Sequence, residues 1–142
     1  MQEPRPETDK LLCINLQILK ASHVVMKTYE DAYRPYGIKA TQVPVLSLIG
    51  SREQTTIKDI ADLTVTERSV LSRKLQIMEG NDWICKNSLP GTREKSYSLT
   101  KKGEELLDKV TPVRVQVQNS LLAKLSPDEA ELLLGLCEKL QH

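Results

Sequence analysis

The sequence predicts a mainly α-helical chain with one small β-hairpin set late in it. Three observations carry that expectation. Of 142 residues 39% are hydrophobic, yet there is no Phe, one Trp and four Tyr. Leu, Ile and Val must therefore fill the core, and they suit helix packing. Residues 56–63 and 67–78 read as two short helices joined by a turn. Residues 83–87 and 94–99 then read as two strands around Pro90-Gly91-Thr92-Arg93, where Gly91 suits a tight turn. The length is that of one domain.

Each element has its own signal. Residues 9–34 read as one long helix capped by Thr8 or Asp9. Leu12, Leu16, Leu19, His23 and Met26 make one stripe on it; Ile14, Ile18, Ala21 and Val25 make another. A helix apolar on two faces is buried on two sides, one against its own domain and the other against a second subunit. Pro35 and Gly37 end it. Residues 42–50 form a second helix. Pro44 lacks an N–H and fits only a first turn, which puts the cap near Thr41.

Thr56 is the expected cap of a third helix, with Asp59 three residues on in capping-box spacing and Ile57, Ile60 and Ala61 facing inward. Thr66 is the expected cap of the fourth, whose Val70, Leu71, Leu75 and Met78 point at the core. Residues 96–100 alternate with period two, as a half-buried strand does. Thr100 caps the next helix, and Pro112 is expected to kink or split it. Ser126-Pro-Asp-Glu129 places a Ser cap, Pro first and Glu third at the start of the last helix. That helix is expected to bury Ala130, Leu133, Leu134, Cys137 and Leu140.

Charge is distributed unevenly. The formal net charge is only +1. Residues 68–102 nevertheless hold eight basic side chains against three acids, a net of +5, whereas residues 103–142 hold four against seven, a net of −3. The positive charge lies on the fourth helix and the hairpin. On the fourth helix Arg68, Ser69, Ser72, Arg73 and Gln76 share one outward face with no acid among them; Glu67 and Glu79 sit off its ends. Arg, Ser and Gln can donate to bases and phosphates, where a carboxylate would repel. Lys74 and Lys95 add charge beside this face, and Arg93 projects from the hairpin tip. Two helices followed by a basic-tipped hairpin is how a winged helix-turn-helix grips duplex DNA. A winged-helix module that binds protein without reading bases is the alternative; it calls for acids or an apolar stripe on that outward face.

Other classes find little material. One internal His and scattered Cys offer no nucleophile–base pair and no metal set, so no enzyme, metal or cofactor is expected. Cys13, Cys85 and Cys137 are odd in number and lack a C-x-x-C, which fits reduced thiols in a cytoplasm. Cys85 and Cys137 read as structural. Residues 1–8 are polar and Pro-rich, neither a signal peptide nor a membrane span, and read as a frayed arm.

These fragments, in this order, resemble the MarR family of transcriptional regulators. Gly37-Ile-x-x-x-Gln42-x-x-Val45-Leu46 is similar to the family's second helix, and Thr56-Ile-x-Asp-Ile-Ala61 to its third. Arg68-Ser-Val-Leu-Ser-Arg73 followed by Met78-Glu79 and Trp83-Ile84 resembles the reading helix running into the wing. Arg93 followed by Tyr97-Ser-Leu-Thr-Lys-Lys-Gly103 resembles the wing and the start of the fifth helix. The resemblance implies a homodimer interleaved through residues 1–36 and 104–142, with residues 37–103 as the DNA-binding lobe. It implies a regulator, most often a repressor, on a pseudo-palindromic operator of double-stranded DNA, with reading helices in successive major grooves and Arg93 in a minor groove.

Departures are visible too. Gly91 stands where the family often has an Asp that orients the wing Arg, and Val65 and Asp82 stand at turn positions that are often Gly. For a switch, Cys13 near the first helix start looks like the sensing cysteine of the family's organic-hydroperoxide regulators, with Tyr29 in one supporting role. The other switch is a small amphipathic effector in a crevice lined by His23, Tyr29, Tyr33 and Tyr36.

Overall fold

The computed structural model describes residues 13–142. Thr8, Asp9 and Leu12 lie outside them. Helix α1 runs Ile14–Tyr33 with Cys13 at its N-cap. Of its residues only Tyr33 is buried, and Met26 and Tyr29 pack at the edge of the core. Ile14, Leu16, Ile18, Leu19, Val24 and Val25 stay exposed, so among the described residues a single chain leaves most of both expected stripes in water. A 3-10 turn, Arg34–Tyr36, leads to Gly37 at φ 70°, which reverses the chain.

Helix α2 spans Val43–Gly50, one residue later than expected, with Gln42 rather than Thr41 as N-cap and Pro44 in the first turn. The local cause is the buried Gln42 side chain, which folds back so that its Oε1 accepts from the Lys39 N–H at 3.0 Å. Strand β1 (Thr55–Thr56) runs directly into α3 (Ile57–Thr64). The capping box at that junction is complete: Thr56 Oγ1 accepts from the Asp59 N–H, and the Asp59 carboxylate accepts from the Thr56 N–H. Ile60 is buried, with Ile57 and Ala61 packed beside it.

Helix α4 spans Arg68–Gly80. Its N-cap is Glu67, not Thr66, because the Thr66 hydroxyl donates to the Thr64 carbonyl instead. Leu71, Leu75 and Met78 are buried. Val70 is not: it is 55% exposed, a correction to its expected core placement. Leu71, Leu75 and Met78 recur at i, i+4 and i+7 and complete a stripe alone, while Val70 is rotated about 100° off it.

Strands β2 (Ile84–Ser88) and β3 (Lys95–Leu99) pair antiparallel with Cys85 opposite Ser98, and β1 adds to the other edge of β3 with Thr55 opposite Tyr97. The sheet order is β1-β3-β2. Helix α5, Lys101–Leu122, is capped by Thr100 and continues through Pro112 without a break. The expected split does not occur. Pro112 is exposed, so the bond it cannot donate is lost on the solvent side, while Val110 and Val117 bury the opposite face. Helix α6, Pro127–Leu140, starts with the Ser126–Glu129 capping box. Among the described residues it packs substantially on no other element. Leu133, Leu134, Cys137 and Leu140 are therefore exposed in the single chain and Ala130 only half-buried, against expectation.

The core gathers Tyr33, Ile38 and Leu46 with Ile60, Leu71, Met78, Trp83, Tyr97 and Val110. It lies between the end of α1 and the middle of α5. Two corners of this lobe hold non-glycine residues in the left-handed region, Val65 at φ 49° between α3 and α4 and Asp82 at φ 61° before β2. For a β-branched side chain that conformation is strained by about 1–2 kcal/mol. Val65 is 71% exposed, so its side chain gains little in return. Val65→Gly is expected to stabilise the protein by roughly 0.5–1 kcal/mol after the entropic cost of Gly. A thermal melt checks it: Tm should rise by a few degrees, and a fall would show that the corner is not strained.

Candidate nucleic-acid interface

Helix α4 presents Arg68, Ser69, Ser72, Arg73 and Gln76 to solvent, all exposed. Among the described residues the ion pairs are Lys27–Asp31, Arg34–Asp31 and Arg52–Asp59, which leaves the guanidinium groups of Arg68, Arg73 and Arg93 uncommitted. Glu67 makes no side-chain capping bond, so the first N–H groups of α4 also face outward free of one. Arg93 is exposed in the tip between β2 and β3, where Gly91 takes φ 75° and Thr92 Oγ1 accepts from the Glu94 N–H at 2.9 Å. Lys95 stands on β3 and donates across the strand pair to Ser88 Oγ at 2.9 Å. Lys74 is different. It is half-buried, its Nζ reaches the Thr41 carbonyl at 3.4 Å, and burial pulls its pKa down. It faces α2 rather than the outward surface.

Val70 and Ile77 accompany the polar face, 55% and 52% exposed. Neither exposure is expected from the sequence, where Val70 counts with the inward residues. The outward surface of α4 is therefore not purely polar. The signal that could have found this is helical rotation: opposite the Leu71–Leu75–Met78 stripe lie Ser69 and Arg73, with Val70 and Ile77 flanking them on one side and Gln76 on the other.

A cavity of about 270 Å³ opens between α1, the start of α2 and α5. Tyr29, Tyr33, Ala40, Val43, Arg114 and Gln118 are among its walls. The two tyrosine rings lie 5.8 Å apart. An adjoining groove of about 670 Å³ between α1, α5 and α6 shares Val25, Tyr29 and Gln118 with it and carries Lys20 and Lys124 at its edges. His23 and Tyr36 line neither space, a correction to the expected crevice. His23 lies on the exposed side of α1, and Tyr36 sits in the 3-10 turn beyond its end. Arg114 and Gln118, one turn apart on α5, take their place. Their sequence spacing shows a shared face but not what that face meets.

Cys13 is exposed at the N-cap of α1 with no side-chain capping bond. Tyr29 is sixteen residues further along the same helix, roughly 24 Å by helical rise, so one chain does not bring the two together. Cys85 and Cys137 are exposed as well, and Cys85 Sγ lies 3.2 Å from Ser98 Oγ. No group of three metal-ligating side chains comes together among the described residues, and none of their helices is long and apolar enough to cross a membrane.

Known proteins share this architecture. A MarR mutant from E. coli complexed with operator DNA superposes with a TM-score of 0.85 at 19% identity, covering 93% of this chain and 96% of that one. The transcriptional repressor CouR, bound to a 23-mer DNA duplex, gives 0.83 at 20% identity with full coverage of both chains. The M. tuberculosis regulator MOSR in complex with DNA gives 0.78 at 25% identity over 91% and 96%. The fold is that of the MarR-family regulators. No protein-family model matches the chain. By sequence it is similar to the HTH-type transcriptional regulator YwoH of Bacillus subtilis, 24% identical over 115 residues, 81% of this chain and 84% of that protein. YkoM of the same organism is 26% identical over 107 residues, 75% of this chain and 70% of that protein. Both relatives are uncharacterized HTH-type transcriptional regulators.

In the MarR-type frame α3 and α4 form the helix-turn-helix, and β2 and β3 form the wing. Val65 and Asp82, where the family often has Gly, keep the left-handed corners rather than distorting them. Tyr33 ties α1 to this lobe and walls the crevice. Burial pushes its phenol up to about 12, with Tyr29 adding to the shift and Arg114 opposing it. A raised folded-state pKa stabilises below the unfolded value of 10.0 and is lost as pH climbs toward 12. Denaturation midpoints should therefore fall from pH 10 to 12 in the wild type and fall less in Tyr33→Phe. Tyr97, raised in the same direction by burial, keeps part of the slope. Parallel profiles would exclude Tyr33 as a source.

Proposed function

We propose that this chain is a homodimeric transcriptional regulator that binds double-stranded DNA in a sequence-specific manner, most simply as a repressor, and releases it when the crevice is filled. The observation that carries the reading is the acid-free exposed face of α4, Ser69, Ser72, Arg73 and Gln76, set next to a wing with Arg93 at its tip. Uncommitted guanidinium groups on a rigid helix suit bidentate contacts to guanine edges and phosphates. The DNA-bound proteins that share the fold support it.

Binding is tested by fluorescence anisotropy with duplexes selected from a random pool, titrated at several salt concentrations. A selected duplex should outcompete random DNA, with affinity falling steeply as salt rises. Arg73→Ala should weaken selected-site binding about tenfold or more and relax specificity at one base pair. Arg93→Ala should weaken all duplexes alike and reduce the salt slope by about one. Equal competition by random DNA would remove sequence reading.

The dimer rests on α1 and α6. Leu132, Leu133, Leu134, Leu136 and Leu140 are exposed together on α6, and Ile14, Leu16, Ile18 and Leu19 on the start of α1. Contiguous apolar area of this kind marks an interface, and residues 1–36 and 104–142 are its proposed source. Light scattering should give twice the chain mass of 16.0 kDa at micromolar concentration. A single-chain mass throughout would refute it.

Two switches fit. The crevice suits a small amphipathic molecule, with Tyr29, Tyr33 and Arg114 as its polar contacts. Oxidation of Cys13 is the second, favoured by its exposure at a helix N-cap; any pairing with Tyr29 would have to form between chains.

A further inference from the structure

Val70 has no role in the fold. It is 55% exposed, and as a β-branched residue inside α4 it holds the helix less well than Ala would. Its surroundings are polar: Ser69 precedes it, Thr66 lies one turn before it, and Arg73 and Lys74 lie one turn after. It sits at the third position of α4, the end that a helix-turn-helix presents to base edges. Serine and arginine beside it offer donors to a groove. Val70 offers two methyl groups and nothing else.

The one feature of the major groove that asks for such a surface is the C5-methyl of thymine. Resting on the DNA-reading function proposed above, we infer that Val70 is a specificity-determining residue that packs on a thymine methyl, beside the base or phosphate contact of Arg73. The methyl–methyl contact excludes water from a site that cytosine, lacking the methyl, would leave half-filled. Ile77, two turns further along and on the same side of the helix, is 52% exposed but sits away from the entering end, so it does not share this role. A protein partner covering this side of α4 would instead engage both residues.

Single thymines of a duplex selected by the protein are replaced in turn by deoxyuridine, which removes only the methyl group. Wild type should lose about fourfold in affinity at one thymine per half-site, the value of one buried methyl. Val70→Ala should bind the thymine and uracil duplexes equally at that position, while Ile77→Ala keeps the wild-type discrimination. Because Val70 is exposed, the alanine variant should melt no lower than wild type, which separates lost recognition from lost folding. Unchanged discrimination in Val70→Ala, or no methyl-sensitive thymine in any selected duplex, overturns the inference while leaving DNA binding intact. Equal loss in Ile77→Ala overturns it in favour of an extended apolar interface. Failure to select any duplex overturns both this and the DNA-reading function.

Discussion

Helix α5 begins by closing on the corner that ends α4. The Thr100 N–H donates to the Trp83 carbonyl at 3.1 Å, the Thr100 hydroxyl donates to the Asp82 carbonyl, and Lys102 Nζ reaches the Asn81 carbonyl at 3.1 Å. Gly103 is buried against that corner, and a Cβ there would overlap the Trp83 carbonyl oxygen. The arrangement satisfies the carbonyls of a corner held at positive φ by Asp82. It also fixes three things at once: where α4 stops, where the wing starts, and the direction in which α5 leaves the lobe. The outward face of α4 and the wing tip are held relative to one another because both are anchored to this junction.

Burial is concentrated on the lobe side of the junction. The core closes around Leu46, Ile60, Leu71 and Leu75, all essentially inaccessible, with Tyr33 of α1 and Val110 of α5 packed into it. Beyond it, α6 and most of α1 leave their leucines and isoleucines in water. The hydrophobic effect scales with area removed from water, so such a distribution is stable only when those faces find a partner. This uneven burial separates a well-packed core from helices whose apolar faces lie open in the single chain.

Between the two regions, the segment that leads into α2 is held from both sides. Glu30 Oε1 on α1 accepts from the Ala40 N–H at 2.6 Å, and Lys74 on α4 reaches the Thr41 carbonyl at 3.4 Å. Ala40 and Val43 wall the crevice as well. A molecule entering there would press on a strip of backbone held by both α1 and α4. Lys74 is best understood in that light, as a brace between helices rather than a free cation.

Local chemistry was readable from the sequence. The caps at Thr56, Thr100 and Ser126 were legible because each closes within three residues and depends on no distant partner. The turn at Gly91 and the paired strands around it were legible for the same reason. So was the acid-free run from Arg68 to Gln76, since helical rotation alone places those side chains together. Tertiary structure decided the rest. Strand β1 has two residues, too few to alternate, and exists because β3 has a free edge. Val70 is outside because three other residues already complete the inward stripe, and Pro112 stays within α5 because its missing N–H falls on the solvent side. Arg114 and Gln118 meet Tyr29 and Tyr33 only because α1 and α5 pack together across more than eighty residues of sequence. Periodicity reports that a helix has an apolar face; which surface covers that face is settled by area buried at long range, and the sequence carries no local mark of it.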